Sequence, residues 1–170
     1  CYAYGLKSII NRCGVIAGPW QMGKTDQGFV ALWVSRHLYG GRLAYIGYGG
    51  SGKQVRDILH IDDLFNLIKA QIKALDTKQF DIYNVGGGRI SNSSLKELTK
   101  TCQDLTNNKL DLNIVKEARQ GDIPYYITDN SRVSGEFSWE PKVGTSAIVN
   151  DVVKWISDNK EFLAPVFLEA

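Results

Sequence analysis

The segment 52–64 constrains the fold more than any other part of the sequence, because a strand pattern in it runs directly into a helix start. Val55 and Ile58 are β-branched and favour extended backbone. Asp62 and Asp63 follow closely, and carboxylates in a first helical turn complement its exposed N–H groups and its dipole. The sequence therefore predicts a strand and, without a loop, a helix, over 55–60 and 62–75.

Strand and helix patterns alternate along the rest of the chain, which is typical of an α/β fold. Further strands are predicted over 7–16, 43–46, 80–85, 110–115 and 125–128. Further helices are predicted over 25–38 with Thr25 as cap, from a capping box at Ser94–Glu97, and over 146–162. The helix over 62–75 is expected to bury one apolar face, formed by Leu64, Leu67, Ile68, Ile72 and Leu75.

Composition limits the class of protein. A chain of 170 residues with 44% hydrophobic and 22% charged residues suits one domain with its own core. The net charge of +2 gives no reason to expect nucleic acid or a membrane surface as a partner. No apolar run approaches the ~20 residues of a membrane-spanning helix. Cys1, Cys13 and Cys102 are scattered, as expected for reduced thiols of a cytoplasmic protein rather than for a disulfide framework or a zinc site.

Arg56, within the predicted strand, is a candidate anion ligand. A guanidinium group can donate two parallel hydrogen bonds to a diphosphate. The alternative is that Arg56 pairs with an acid at the surface, and residue chemistry alone favours that alternative. His60 lies close to two acids, but a structural histidine explains it better than a metal ligand does.

The glycine-rich segment 47–54 contains two patterns that resemble phosphate-binding motifs. Gly47, Gly49 and Gly52 satisfy G-x-G-x-x-G, and Lys53 nearly completes a P-loop, but Gln54 replaces the hydroxyl residue that would hold magnesium. Both motifs need a helix immediately afterwards, whereas a strand is predicted here. We therefore expect a flexible hairpin loop.

The motif Arg56-Asp57-x-x-His60-x-x-Asp63 resembles a hallmark of the extended short-chain dehydrogenases/reductases, the NAD-dependent nucleotide-sugar epimerases and dehydratases. Further matching segments follow in family order between about Tyr4 and Ile156, at 4–6, 12–19, 83–87, 119–122 and 139–142. The resemblance implies an α/β fold that forms the C-terminal part of this family's structure. That part comprises the last strands of the Rossmann sheet and the small substrate-binding α/β domain. The whole chain, 1–170, would be one partial unit without the N-terminal NAD-binding half.

The resemblance also implies roles for individual residues. Arg56 and Arg119 would bind the diphosphate of a nucleotide-sugar, although Gln120 departs from the family's Arg-Pro-Gly-Asp segment. The remaining substrate contacts would come from Gln27, Ala44 and Ile46. The nicotinamide end of the cofactor NAD would lie near Cys13 and Val15. Val15 stands where UDP-galactose epimerases carry Asn, and the segments 17–21 and 26–28 resemble members that act on CDP-sugars, so a CDP-sugar is favoured.

No tyrosine of the chain has a lysine four positions later, so the family's catalytic Tyr-x-x-x-Lys is absent, as is its glycine fingerprint for NAD. The resemblance implies that the parent protein is an epimerase acting by transient hydride transfer through a keto-sugar, and that this chain alone is inactive. The strand over 7–16 would be close to unpaired, or would pair with another chain. Expected partners are the N-terminal half or another copy, in a homo-oligomer. Alternatives are a nucleotide-sugar 4,6-dehydratase and a non-catalytic binding or interaction module made from the half-fold.

Overall fold

The computed structural model describes residues 3–23, 27–77 and 80–168. Within these residues eight strands are found: β1 (Ser8–Cys13), β2 (Val15–Ala17), β3 (Leu43–Ile46), β4 (Val55–His60), β5 (Phe80–Val85), β6 (Asn92–Ser94), β7 (Leu112–Val115) and β8 (Tyr125–Tyr126). The α-helices are α1 (Phe29–Tyr39), α2 (Ile61–Ala74), α3 (Leu95–Thr106), α4 (Ser131–Phe137), α5 (Thr145–Asp158) and α6 (Lys160–Leu168). The predicted cap Thr25 lies outside the described residues.

Parallel pairing dominates the sheets, as expected for an α/β chain. β1 pairs with β5, β2 with β4, and β3 with β7, all in parallel. The amino-terminal part of β4 also pairs antiparallel with β6 and parallel with β8. β4 is therefore the central strand, and its carboxyl end leads directly into α2.

The predicted junction between β4 and α2 is confirmed, and Asp62 and Asp63 lie in the first turn of the helix. His60 is the N-cap, and its Nδ1 accepts a hydrogen bond of 3.2 Å from the backbone N–H of Asp62. Asp63 also binds a distant segment of the chain, because its Oδ2 accepts hydrogen bonds from the backbone N–H groups of Lys142 and Val143, both at 2.9 Å. The two acids open the helix, and Asp63 also fixes a distant loop.

The strand predicted over 7–16 is divided at Gly14 into β1 and β2, which belong to different sheets. The expectation that it stays close to unpaired is wrong, since both parts pair within the chain. A Cβ at Gly14 would lie 3.0 Å from both Asp57 Oδ1 and Thr128 Oγ1, so close packing explains the glycine at this switch between sheets.

Other boundaries differ more modestly. β3 pairs with β7 and not with β4, so the segment between β3 and β4 is not a hairpin, and it contains a 3₁₀ turn at Tyr48–Gly50. The last predicted helix is two helices, α5 and α6. The capping box of α3 is confirmed, with Ser94 and Glu97 bonded reciprocally.

Two hydrophobic cores are found among the residues that the structure describes. The larger core lies among α1, α3, α5 and α6 and contains residues such as Val34, Leu98, Cys102, Val152 and Leu163. The smaller core lies between the β1–β5 pair, α2 and α4, and consists of Leu59, Leu64, Leu67, Tyr83, Val85, Val133 and Trp139.

The buried face of α2 is not the predicted one. Leu64, Leu67 and Gln71 are buried, whereas Ile68 and Ile72 are exposed by 37% and 61%. Gln71 faces inward because its amide exchanges two hydrogen bonds of 2.8 Å with Asn11 of β1. An apolar stripe consequently remains at the surface of α2, formed by Ile61, Phe65, Ile68 and Ile72. No helix in the described ranges is long and apolar enough to cross a membrane.

Candidate anion-binding cavity

A cavity of about 580 Å³ lies between α1, β3 and the segment 119–122. Among the residues that the structure describes, its lining includes four arginines, Arg36, Arg42, Arg56 and Arg119. Asp122 adds a carboxylate to this lining, while Phe29, Leu32 and Trp33 of α1 supply apolar surface. A polar anion with an apolar or aromatic part suits this combination of side chains.

The chain path gives the cavity two distinct ends. α1 ends at a turn through Gly40 and Gly41, and the chain then returns as β3, so the start of α1 lies at the same end as the carboxyl end of β3. α1 starts after Gly28 (φ 72°), which has no side chain to cap the helix, and the first turn of α1 contains no acid. The positive end of its dipole therefore adds to the arginines there.

Arg56 projects from β4 into this end. Its Nη1 donates to the carbonyl oxygen of Val55 at 2.8 Å, and its Nη2 lies 2.5 Å from Asp122 Oδ1. The side chains of Arg56 and Asp122 are 22% and 27% exposed, so the ion pair is largely enclosed. Arg56 therefore pairs with an acid, as its alternative prediction stated, and this ion pair also forms part of the wall of the cavity.

The structure brings all five predicted substrate-binding residues to this cavity: Arg56, Arg119, Gln27, Ala44 and Ile46. Cys13 and Val15, predicted at the nicotinamide end of NAD, do not line it. Cys13 is exposed at the end of β1, and Val15 packs against the larger core. Partial burial raises the pKa of the Cys13 thiol, which disfavours a thiolate and hence a nucleophilic role.

The glycine-rich segment supports the cavity from outside. Gly47 N–H donates to the carbonyl oxygen of Val115 at 2.8 Å, and the hydroxyl of Tyr48 donates to the carbonyl oxygen of Asp122 at 2.7 Å. Gly47 lies at φ 85°, a conformation that glycine adopts readily. The segment thus holds in place the loop that carries Arg119.

Sequence reasoning missed several residues of the lining, namely Arg36, Arg42, Gln54, Asn113 and Asp122. Asp122 lies 66 positions from its partner Arg56, and no local pattern predicts such a pair. The position of Arg42 was predictable from the sequence, because side chains alternate along a strand and Arg42 therefore lies on the same face of β3 as Ala44 and Ile46.

Outside this cavity, a second one of about 690 Å³ lies beyond the carboxyl end of β5, with Arg89, Asp129 and Glu140 in its lining. No predicted site residue lies there.

His60 is 3% exposed and its Nε2 lies 3.5 Å from Asp151 Oδ2. No cluster of three or more His, Cys, Asp or Glu side chains able to hold a metal ion is found in the described part of the chain.

The starts of α2 and α3 do not suit the pyrophosphate of a dinucleotide. A pyrophosphate group is usually bound where a short glycine turn leads from a strand into a helix. Within 3–23, 27–77 and 80–168, β4 and β6 enter α2 and α3 directly, and both helices carry acids in their first turns. Cys13, at the carboxyl end of β1, fits the edge of an open α/β sheet where ligands bind.

The fold and the cavity together define an α/β protein with an arginine-rich anion site beside the carboxyl ends of parallel strands. The family model described as "NAD dependent epimerase/dehydratase family" matches residues 1–86, which is half of the chain. The chain belongs to the NAD-dependent epimerase/dehydratase family.

Curated relatives include epimerases and dehydratases. CDP-paratose 2-epimerase of Salmonella typhi is 27% identical over 157 residues, covering 91% of this chain and 46% of the relative. A dTDP-glucose 4,6-dehydratase of an Actinoplanes species is 26% identical and covers 94% of this chain and 47% of the relative. The chain thus spans about half the length of these relatives.

Solved structures show the same similarity. UDP-glucose 4-epimerase of Thermotoga maritima with UDP-glucose has a TM-score of 0.76 and 26% identity, covering 94% of this chain and 48% of the other. The dTDP-glucose 4,6-dehydratase of Streptomyces venezuelae with NAD bound has a TM-score of 0.78 and 26% identity, covering 97% and 48%.

Proposed function

We propose that this chain is the nucleotide-sugar-binding part of an NAD-dependent nucleotide-sugar epimerase. The observation that carries this proposal is the convergence of Arg56, Arg119 and the start of α1 on one cavity. A diphosphate carries its charge on oxygens that accept several hydrogen bonds at once. Two guanidinium groups and a helix start offer donors from separate directions, which orients the diphosphate as well as neutralising it.

The ion pair between Arg56 and Asp122 fits such a ligand. Their contact at 2.5 Å orders the guanidinium at the cavity wall before any anion enters. An arriving phosphate oxygen either takes the place of the Asp122 carboxylate as a hydrogen-bond acceptor of Arg56 or accepts from Arg56 beside it. Asp122 still accepts from the N–H of Ile123 at 3.0 Å. Arg56 is thus preorganised for an anion.

The particular activity proposed is that of a CDP-paratose 2-epimerase-like enzyme, acting through a keto-sugar. It is supported by the 27% identity to CDP-paratose 2-epimerase over 91% of this chain. A nucleotide-sugar 4,6-dehydratase is the second candidate, favoured by a 26% identical relative that covers 94%. Both readings use the same diphosphate site.

The cofactor proposed is NAD, which would supply the hydride acceptor when bound. Cys13 and Val15 would lie at its nicotinamide end, and its pyrophosphate would be bound by a part of the protein outside this chain. The domain proposal follows: residues 1–170 form one partial unit, which is inactive alone because the proton-transferring Tyr-x-x-x-Lys pair is not in it.

The partner proposed for this unit is the N-terminal half of the same protein. Arg132 covers the outer edge of β5, since its Nη1 donates to the carbonyl oxygen of Ile82 at 2.8 Å. β1 pairs along one edge with β5, and no other described strand pairs with it. A further parallel strand beside β1, with a helix against the apolar stripe of α2, would bury this side of the molecule.

The test is calorimetric titration of CDP-glucose into the chain and into the variants Arg56→Ala and Arg119→Ala. Each variant should bind about tenfold to a hundredfold more weakly, because a charge-assisted hydrogen bond contributes about 1.5–3 kcal/mol. Arg89→Ala, in the second cavity, is the matched control and should bind like the unmodified chain. Circular dichroism verifies that each variant is folded. If folded Arg56→Ala and Arg119→Ala keep full affinity, the diphosphate site is elsewhere.

A further inference from the structure

The strand β7 has one free edge. β3 pairs with its other edge, and no further strand among the residues that the structure describes pairs with β7. The side chains there are largely open to solvent, since Ile114 is 64% and Val115 is 39% exposed. An exposed, apolar edge strand offers its unpaired backbone groups to a strand of another chain.

The direction of the backbone shows which groups the free edge of β7 offers. The carbonyl oxygen of Val115 accepts a hydrogen bond of 2.8 Å from the N–H of Gly47, which directly follows β3. The backbone groups of Val115 therefore point toward β3. Because successive residues of a strand point these groups to opposite edges, Leu112 and Ile114 point theirs outward. The free edge thus presents two N–H donors and two C=O acceptors, and no loop or turn of the described ranges bonds to them.

The charges around β7 are complementary to those of a second copy of the same strand. Lys109 precedes the strand and Glu117 follows it, and both are exposed. In an antiparallel pair centred on Asn113, Lys109 of each copy lies opposite Glu117 of the other, which gives two ion pairs. A register centred on Ile114 would instead set Asp111 opposite Glu117, two acids. Charge therefore selects the register centred on Asn113.

The same register also satisfies the free backbone groups. It places Leu112 of each copy opposite Ile114 of the other, and these are the residues whose N–H and C=O groups point outward. Each opposed pair exchanges two hydrogen bonds, so four form between the copies. The Leu112 and Ile114 side chains of each pair lie on one face of the joined sheet, where they cover apolar surface that is exposed in the single chain.

We infer that β7 is a self-association surface, at which a second copy of this chain adds its own β7 antiparallel about a two-fold axis beside Asn113. The contact joins two β3–β7 pairs into one sheet of four strands. Asn113 lines the arginine-rich cavity, so the contact places the cavities of the two copies on the same sheet. This surface is separate from the edge of β1 proposed for the N-terminal half, and it does not depend on the ligand of the cavity.

The dimer formed in this way is weak. β7 contains four residues, and exposed ion pairs contribute little each. Stable interfaces bury about 1,200–2,000 Å² in total, more than two such short strands cover. We therefore expect half of the chains to be associated only at a concentration on the order of 0.1 mM.

Charge reversal tests the register, with sedimentation velocity as the measurement over concentrations on both sides of that value. Lys109→Glu and Glu117→Lys each turn both ion pairs into repulsions, so each variant alone should associate about tenfold more weakly. An equimolar mixture of the two variants should associate like the unmodified chain. One variant then carries acids at both positions and the other lysines at both, so both attractive pairs return. Lys142→Glu, at an exposed lysine beside the smaller core, controls for the change in net charge.

A second pair of variants tests the hydrogen bonds of the edge. Ile114→Pro removes an outward N–H but no bond to β3, so the variant should remain folded by circular dichroism and should lose association. Ile10→Lys changes an exposed residue of β1 and should leave association as it is in the unmodified chain.

Three results would overturn self-association through β7. The unmodified chain could remain monomeric throughout the range, which would leave this edge to a strand of a different protein. The mixture of charge variants could associate no better than either variant alone. Ile10→Lys could abolish association while Ile114→Pro preserves it, which would place the contact at β1. The diphosphate site is tested separately, by the titrations of Arg56→Ala and Arg119→Ala.

Discussion

The larger and the smaller hydrophobic core are built from similar side chains but differ in how completely they are enclosed. Four helices surround the larger core, and Val34, Val152 and Leu163 in it have no exposed surface. The smaller core has a sheet of two strands on one side, and its helix α2 exposes Phe65 and Ile72 by 56% and 61%. The larger core is complete within the chain, whereas the smaller core lies beside a surface that suits a further layer.

The cavity depends on the larger core. Trp33 of α1 lines it and donates from Nε1 to Thr99 Oγ1 at 2.9 Å, which links α1 to α3 behind the site. The proposed nucleotide-sugar site is therefore attached to the better-enclosed part of the molecule. We expect that part to be the more stable one in this chain.

The largest expected effect is the loss of unfolding free energy when a buried leucine is replaced by alanine in each of the two cores. Leu98→Ala in the larger core should lower the free energy of unfolding by about 4 kcal/mol, and Leu67→Ala in the smaller core by about 2–3 kcal/mol. Both leucines are essentially buried, but α2 has solvent on its outer side and can shift to fill the space. Urea denaturation of both variants measures the difference. A cost at Leu67 equal to that at Leu98 would show that the smaller core is equally rigid.

The pH dependence of stability distinguishes a cysteine in each region. Burial raises the pKa of Cys102 in the larger core to about 12. In the unfolded chain a thiol ionises near 8.5, so above about pH 9 the unfolded state binds fewer protons than the folded state and stability falls by at most about 1.4 kcal/mol per pH unit. Cys102→Ala should lack this contribution, so its stability should fall less steeply.

The control for that measurement is Cys13→Ala. The Cys13 thiol is exposed, and its pKa is raised by only partial burial. Replacing it should change the slope less than replacing Cys102 does. Unfolding free energies of the three proteins between pH 8 and pH 10 decide the comparison, in roughly the window given by the unfolded thiol pKa. Equal slopes in all three would mean that the folded-state environment of Cys102 does not favour the protonated thiol.

The smallest effect on stability is expected at the surface stripe of α2. Ile72→Glu should change the free energy of unfolding by no more than about 0.5 kcal/mol, because Ile72 is largely exposed in this chain. The same change should reduce association with a partner that covers the stripe, and sedimentation measures this for the chain alone and with the proposed N-terminal half. Lys73→Glu, on the same helix outside the stripe, controls for charge. Unaltered association of Ile72→Glu would exclude the stripe from the interface.

Local sequence determined much of the fold. β-branched alternation followed by acids defined the entry from β4 into α2, and the capping box at Ser94 and Glu97 defined the start of α3. The α/β class and the bounds of β3, β4 and β5 follow from patterns within a few residues. These features are predictable because neighbouring residues alone satisfy their backbone groups and set their periodicity. Arg56 and Arg119 were candidates from chemistry and family resemblance, and the structure places them at one cavity.

Only the tertiary structure decided the rest. The division of one apolar run at Gly14 depends on Asp57 and Thr128, which approach from distant positions. The buried face of α2 is turned by the hydrogen bonds between Asn11 and Gln71, and Asp122 reaches Arg56 across 66 positions. A sequence pattern records the period of a helix or strand but not the direction from which another segment packs against it. The bonds that orient α2 and Arg56 therefore exist only once the distant segments meet.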